Sequence, residues 1–150
     1  MEKQILSESY EEKYNHYAHS VGTVMLHLQW CTKYRYRIFR RPETAKLLEA
    51  CIRKAATTHN IKIIEINVQP EHVHCIVLVK FSMSASRVLQ LLKGISAKLF
   101  FEHKEKMRLR YPRGHLWSRG KFASSVGFVQ LETVKQYVRH QEEHHGNSTL

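Results

Sequence analysis

The run over residues 72–81 carries apolar side chains at both odd and even positions, and this pattern constrains the fold more than any other. Side chains alternate between the two faces of a strand, so the odd positions would form one apolar face. Ile76 and Leu78 would lie on the other face, together with His72 and His74. A strand that is apolar on both faces is typical of the centre of a sheet that is covered on both sides. The chain is therefore predicted to build a sheet around this segment.

Further strand and helix patterns surround the central segment. Apolar–polar alternation predicts strands within 21–36 and over 62–69, and a fourth strand that starts at 115–117, with 120–127 as a loop or a short strand. Apolar residues at helical spacing predict helices over 43–58, from residue 84 onward and over 131–144. The order β-α-β-β-α-β with a terminal helix predicts an α+β fold, a ferredoxin-like antiparallel sheet with helices on one face.

The length of 150 residues suits one domain with a core of its own. Residues 1–20 are polar and charged, so we expect an N-terminal extension followed by a single domain over 21–150. No apolar stretch approaches the length of a membrane span, and the three cysteines form no C-x-x-C pair. These features predict a cytoplasmic protein with no membrane partner.

The charge of the chain favours a polyanion as partner. The formal net charge is +11, with 24 Lys and Arg against 13 acidic residues, and such an excess is most often found in proteins that bind nucleic acid. All 13 acidic residues are Glu. Two-metal sites for phosphoryl transfer usually use clusters of Asp, which argues against a DDE-type transposase or a polymerase palm. Catalysis would have to use other ligands.

Two short spacings offer such ligands. His72 and His74 lie at alternate positions of a predicted strand, so both imidazoles would face the same side and could bind one divalent ion. Tyr137 and Gln141 lie four residues apart on the predicted terminal helix and would share a face. Two imidazoles and an amide oxygen can hold a metal ion, and a tyrosine beside it can attack a phosphodiester. Taken singly, each spacing is also compatible with ordinary core or surface residues.

Taken together, these residues resemble the HUH endonuclease superfamily, and within it the single-tyrosine transposases of the IS200/IS605 insertion-sequence family. The resemblance covers about residues 21–144, and no catalytic position is missing. Five segments carry it, namely Trp30-Cys31-Thr32-Lys33-Tyr34-Arg35, Gln69-Pro70-Glu71-His72-Val73-His74, Leu92-Lys93-Gly94-Ile95-Ser96, Leu116-Trp117-Ser118 with Val126-Gly127, and Val134-Lys135-Gln136-Tyr137-Val138-Arg139-His140-Gln141.

The resemblance implies a role for each of the four residues. His72, His74 and Gln141 are similar to the family's metal ligands, with Mg²⁺ or Mn²⁺ as cofactor, and Tyr137 is similar to its nucleophile. The implied reaction cleaves and rejoins single-stranded DNA at insertion-sequence ends by metal-dependent transesterification through a 5′-phosphotyrosine intermediate. The implied partners are single-stranded DNA with hairpins at the element ends and a second copy of the chain. In that homodimer, the terminal helix of one chain would place Tyr137 in the metal site of the other, an arrangement in trans.

Basic and aromatic side chains are candidates for contacts with DNA. Tyr34, Tyr36 and Phe122 could stack on unpaired bases, whereas core packing is the preferred interpretation for Trp117. Each basic candidate could equally belong to a solvated surface. The candidates for phosphate contacts are Lys33, Arg35, Arg37, Arg40, Arg41, Lys93, Lys98, Arg113, Arg119 and Lys121.

Two alternatives remain open from the sequence. The first alternative uses the same reaction in another biological role. It is a domesticated HUH nuclease that processes repetitive palindromes, or an enzyme similar to replication initiators and relaxases, which are usually longer. The second belongs to another class, a non-catalytic ferredoxin-like module that binds nucleic acid. Such a module would use basic and aromatic residues on its sheet but would not need His72, His74, Tyr137 and Gln141 together.

Overall fold

The computed structural model of the protein describes residues 22–127 and 130–140. The predicted extension over 1–20 and the predicted metal ligand Gln141 lie outside these residues. The strands are β1 (Thr23–Thr32), β2 (Lys62–Val68), β3 (His72–Lys80) and β4 (Trp117–Ser125). The helices are α1 (Pro42–Thr58), α2 (Ala85–His103), α3 (Glu105–Arg108) and α4 (Leu131–Arg139), and a single 3-10 turn, Lys33–Arg35, follows β1.

Within the described residues, the four strands form one antiparallel sheet in the order β2-β3-β1-β4. The two central strands pair along their whole length, from Thr23 opposite Lys80 to Cys31 opposite His72. All of β3 except Lys80 is buried, as its two apolar faces predicted. The predicted ferredoxin-like α+β fold is therefore confirmed.

Local sequence features set the bounds of the two long helices. Pro42 occupies the first turn of α1, where its missing N–H costs no hydrogen bond. Asn60 follows α1 with a φ of 56°, a left-handed conformation in which a chain often leaves a helix. Helix α2 starts after Ser84, whose Oγ accepts a hydrogen bond from the backbone N–H of Arg87 at 3.1 Å.

Two apolar clusters lie on opposite faces of the sheet. The larger one joins the sheet to α1 and α2 and includes Trp30 and Leu92. The smaller one lies on the face that carries the histidines and joins the sheet to α4. Its buried members are Met25, Ile76, Leu78, Val126, Leu131 and Val138. No helix in the described ranges is both long enough and apolar enough to cross a bilayer.

The prediction for the fourth strand was wrong in its extent. Residues 120–127 were expected to form a loop or a short strand, but β4 runs as one strand over Trp117–Ser125 and pairs with β1 from Thr32 to Leu26. After Trp117 and the half-buried Ser118, all of its residues are exposed. An edge strand of this kind is held by backbone hydrogen bonds to its neighbour, so its side chains show no alternating pattern.

Replacing Leu92 by alanine should lower the free energy of unfolding by about 2–5 kcal/mol, because it removes a buried side chain and leaves a cavity between α2 and the sheet. Urea denaturation followed by circular dichroism measures the change. The matched control is Leu109→Ala, since that leucine is 82% exposed and should contribute little. Equal losses for the two variants would contradict the core assignment.

Candidate active site

Strand β3 places His72 and His74 side by side on the face opposite α1 and α2. Their ring centroids are 4.8 Å apart and their planes are nearly perpendicular, at 78°. Both side chains are buried. Alternate positions on a strand produce this arrangement directly, because residues i and i+2 point to the same face.

A third imidazole, His27 of β1, joins this pair. Its Nε2 lies 3.4 Å from Nδ1 of His74, and the two rings stack with their centroids 5.6 Å apart. Strand pairing explains the contact, since His27 is opposite Ile76 and His74 is its diagonal neighbour. Burial lowers the pKa of the His27 imidazole and so favours its neutral form. Sequence reasoning did not select this residue, because only the register of β1 against β3 reveals it.

The Nδ1 atoms of both β3 histidines contact other side chains. Nδ1 of His72 lies 2.8 Å from Oε1 of Glu71, whose other oxygen is 3.9 Å from Nε of Arg37. Nδ1 of His74 faces His27. Each of these contacts helps to orient its imidazole ring.

Tyr137 of α4 lies beside the imidazoles of its own chain. Its ring centroid is 6.0 Å from that of His74 and 6.1 Å from that of His27. The tyrosine is 51% exposed, so it borders solvent as well as the buried rings. The structure thus brings together three of the four predicted site residues, and it adds His27 to them.

Apolar and polar contacts both attach helix α4 to the sheet. Val138 packs in the smaller apolar cluster. The Nδ2 of Asn67 in β2 donates a hydrogen bond to the backbone carbonyl of Val138 at 2.8 Å, and Nε2 of Gln69 donates to Oδ1 of the same asparagine at 3.0 Å. Arg139 pairs with Glu65 at 3.2 Å on the surface. These contacts set the position of Tyr137, one residue before Val138.

No group of three or more His, Cys, Asp or Glu side chains in residues 22–127 and 130–140 is arranged to hold a metal ion. Of the three predicted metal ligands, His72 and His74 lie within these residues. The predicted third ligand, Gln141, falls just after the last described residue.

The candidates for DNA contacts occupy several parts of the surface. Lys93 differs from the others because its Nζ donates to the carbonyl of Ser118 at 2.9 Å and because burial, with the charge of Lys121, lowers its pKa. Trp117 is buried, and its Nε1 donates to the carbonyl of Lys93 at 3.1 Å. Lys33 is half-buried, and the exposed candidates are Arg35, Arg37, Arg40, Arg41, Lys98, Arg113, Arg119 and Lys121.

The fold and the site together define an α+β protein with three imidazoles and one phenol on the less covered face of a ferredoxin-like sheet. The sequence model of the family described as Transposase IS200 like matches residues 20–141. The chain belongs to this family of transposases.

Curated relatives and solved structures agree with this family. The chain is 26% identical to the transposase for insertion sequence element IS200 of Salmonella typhimurium over 126 residues, 84% of this chain and 82% of that protein. It is also 26% identical to the ISDra2 transposase TnpA of Deinococcus radiodurans over 117 residues, 78% of this chain and 83% of that protein.

Among solved structures, a crystal structure described as that of a Deinococcus radiodurans transposase superposes with a TM-score of 0.64 at 25% identity, covering 79% of this chain and 91% of the other. A REP-associated tyrosine transposase bound to a REP hairpin has a TM-score of 0.62 at 16% identity, covering 82% of this chain and 68% of the other. This second likeness concerns the fold alone.

Replacing Asn67 by alanine should loosen α4 without unfolding the sheet. The change removes the hydrogen bond to the carbonyl of Val138, worth about 1 kcal/mol. Hydrogen–deuterium exchange should show faster exchange in α4 and unchanged exchange in β1 and β3.

Arg139→Ala is the matched control for α4. It removes an ion pair on the surface, and such pairs contribute between nothing and about 1 kcal/mol. Exchange in α4 that is as fast in this variant as in Asn67→Ala would mean that the asparagine is not the main polar contact of the helix.

Proposed function

We propose that this transposase cleaves and rejoins single-stranded DNA at insertion-sequence ends, with Tyr137 as the nucleophile. One observation carries the proposal: the half-exposed phenol of Tyr137 on α4 lies 6.0 Å, ring centroid to ring centroid, from the buried imidazole of His74 on β3. A phenol that borders solvent is accessible to a phosphodiester. The imidazoles beside it could bind a metal ion that contacts the same phosphate. Membership of the transposase family supports a DNA substrate.

The reaction requires two exchanges at phosphorus. The hydroxyl oxygen of Tyr137 would bond to the scissile phosphorus while the bond from phosphorus to the 3′-oxygen breaks, and the phenolic proton ends on the released 3′-hydroxyl. The protein would then hold a 5′-phosphotyrosine link. A 3′-hydroxyl from another DNA end would attack the same phosphorus, release the tyrosine and join the strands, so no external energy source is needed.

Two imidazoles fit Mn²⁺, because neutral histidine nitrogen binds transition ions. Mg²⁺, the other proposed cation, prefers oxygen and would depend on the amide, phosphate and water oxygens at the remaining positions. His72 and His74 would bind through Nε2, and Gln141 would add a neutral oxygen. A bound cation would offset the negative charge that develops on the phosphate oxygens. Glu71 and His27 would keep the two rings oriented, as neighbours of metal-binding histidines commonly do.

The proposed partners follow from the reaction and from the relatives. Joining two cleaved ends requires two covalent links at once, so two chains with one nucleophile each are the economical solution. We propose a homodimer with active sites in trans, in which Tyr137 would leave the imidazoles of its own chain, beside which it lies here, and take the same place at those of the partner chain. The structural neighbour bound to a REP hairpin supports hairpin DNA as the substrate.

The remaining assignments are proposals of the same kind. We propose a single catalytic domain over 21–150 after an extension over 1–20, and a cytoplasmic location. The exposed basic residues would contact phosphate. A repeat-processing nuclease or an initiator would use the same chemistry, but the extensive mutual coverage with the IS200 transposase favours insertion-sequence ends.

Tyr137→Phe should abolish covalent attachment to DNA and retain binding, because it removes the attacking oxygen and keeps the ring. Labelled single-stranded ends are incubated with the protein and Mn²⁺ or Mg²⁺, and denaturing gels show a protease-sensitive shifted band. Tyr36→Phe is the control, since it removes the hydroxyl of another exposed tyrosine and should leave the band intact. Attachment by Tyr137→Phe at the normal rate, or none by the unaltered protein, would refute the proposed chemistry.

Removal of the metal by EDTA, or His74→Ala, should slow attachment about a hundredfold or more, because the charge on the phosphate is no longer offset. His27→Phe should weaken Mn²⁺ binding about 10–100-fold, since the contact with Nδ1 of His74 is lost. Isothermal titration calorimetry measures the Mn²⁺ affinity of both variants, and their melting temperatures show whether they fold.

His115→Ala, which removes an exposed histidine elsewhere, is the matched control and should bind Mn²⁺ normally. Attachment that proceeds in EDTA at the normal rate would exclude the metal-dependent mechanism.

A further inference from the structure

The 3-10 turn after β1 contains two neighbouring residues in a conformation that L-amino acids rarely adopt. Tyr34 has a φ of 63° and Arg35 a φ of 54°. The third residue other than glycine with positive φ in the described chain is Asn60, which ends a helix in the usual way. Neither tyrosine nor arginine has the short side chain that favours this region. Strained residues of this kind are concentrated at binding and catalytic sites.

The strained turn presents aromatic rings to solvent. Tyr34 is 57% exposed and Tyr36 is 40% exposed, and their ring centroids are 5.3 Å apart. The buried ring of Tyr111 supports them: it lies nearly parallel to that of Tyr34, at 12°, with the centroids 6.4 Å apart. We call these three residues the tyrosine platform, with Tyr34 and Tyr36 as its outer rings and Tyr111 as its buried base. The two outer rings are thus exposed, and the turn that carries them has positive φ at two successive residues.

Hydrogen bonds hold both sides of the turn. The hydroxyl of Thr32 donates to the carbonyl of Tyr36 at 2.7 Å, and the backbone N–H of Lys33 donates to the carbonyl of Leu116 at 2.8 Å. The backbone that carries the platform is thus held in place, so binding to the platform would require little further ordering of the chain.

Cations alternate with the aromatic rings along this segment. Nζ of Lys33 lies 5.5 Å from the ring centroid of Tyr34, and the side chains of Arg35 and Arg37 are exposed. No acidic residue occurs from Lys33 to Arg41. Flat rings between positive charges match a flat base that is attached to a phosphate, because stacking and charge neutralisation can occur together. An acidic peptide would use the charges but not the exposed faces of the rings.

The platform also has a definite position relative to the candidate active site. The backbone N–H of Thr32 donates to the carbonyl of Glu71 at 2.8 Å, and Cys31 is paired with His72. Tyr34 therefore follows shortly after the end of β1 that adjoins the first histidine of β3.

We propose that the tyrosine platform stacks an unpaired base of the single-stranded DNA that the adjoining site cleaves. This inference rests on the proposed function, because it assigns a binding site for the substrate of that reaction. Stacking on a tyrosine face accepts any base, so the platform would hold the strand and would not read its sequence.

The test measures affinity and stability in the same variants. Tyr137→Phe provides a background that cannot cleave, and an unstructured oligonucleotide that contains 2-aminopurine reports binding and stacking by fluorescence. Tyr34→Gly should raise Kd about 5–100-fold, the loss expected for one stacked base, and leave the melting temperature equal or higher, because glycine accepts a positive φ without strain. Tyr34→Phe should bind within about twofold of the background protein, since it keeps the ring.

Two controls separate stacking from other effects. Phe81→Ala removes an aromatic ring that is 79% exposed at the opposite end of the sheet, and it should leave Kd unchanged. The slope of log Kd against log salt should be the same in Tyr34→Gly as in the background protein, whereas Arg35→Ala should reduce it, because only the arginine neutralises phosphate.

Two results would overturn the inference. If Tyr34→Gly lowers the melting temperature and leaves Kd unchanged, the platform serves the fold and not DNA. If the unaltered protein forms the covalent adduct and Tyr34→Gly binds as well as the background protein, the stacking site is wrong while the proposed function stands. Failure of the unaltered protein to bind or attach to any single-stranded oligonucleotide would instead remove the proposed function itself, and the inference with it.

Discussion

The antiparallel pairing of β1 with β3 is the constraint on which the rest of the structure depends. It sets Cys31 opposite His72 and His27 opposite Ile76. Because side chains alternate, a slip of one residue would turn His72 and His74 into the apolar layer beneath α1 and α2. The slip would also send Val73 and Cys75, both fully buried here, to the face that carries α4. Burial of the larger cluster therefore fixes the register, and the register places the imidazoles.

The features that could be predicted from the sequence are those that a single segment encodes. The two-sided apolar pattern of β3 identified the central strand, and the helical spacing of α1 and α2 identified their buried faces. The i, i+2 spacing of His72 and His74 was sufficient to place both rings on the same face. The role of Tyr137 came from a family resemblance, because no local pattern states which face of the sheet a terminal helix will cover.

Other features depend on contacts between distant segments. Strand β4 is exposed after its first residues, so its pairing with β1 through the backbone is not accompanied by an alternating apolar pattern in its sequence. In the sequence, His27 is one of several polar residues in an alternating strand. Only the register of β1 against β3 shows that its Nε2 lies 3.4 Å from Nδ1 of His74. Asn67 contacts a backbone carbonyl 71 residues away, and a backbone acceptor has no signature in sequence. His27 and Asn67 contact the predicted site residues or their helix but are not part of the sequence motif, so the motif could not identify them.

Helix α4 has nine residues, too few for a helix that is stable in water without a supporting surface. Its order comes from Val138 and Leu131 in the smaller cluster and from Asn67. The ring of Tyr137 therefore stays beside the imidazoles of its own chain only while the helix is docked. Substitutions at these docking contacts, far from the phenol itself, would then change how long the ring stays in this position and would leave its chemistry unchanged.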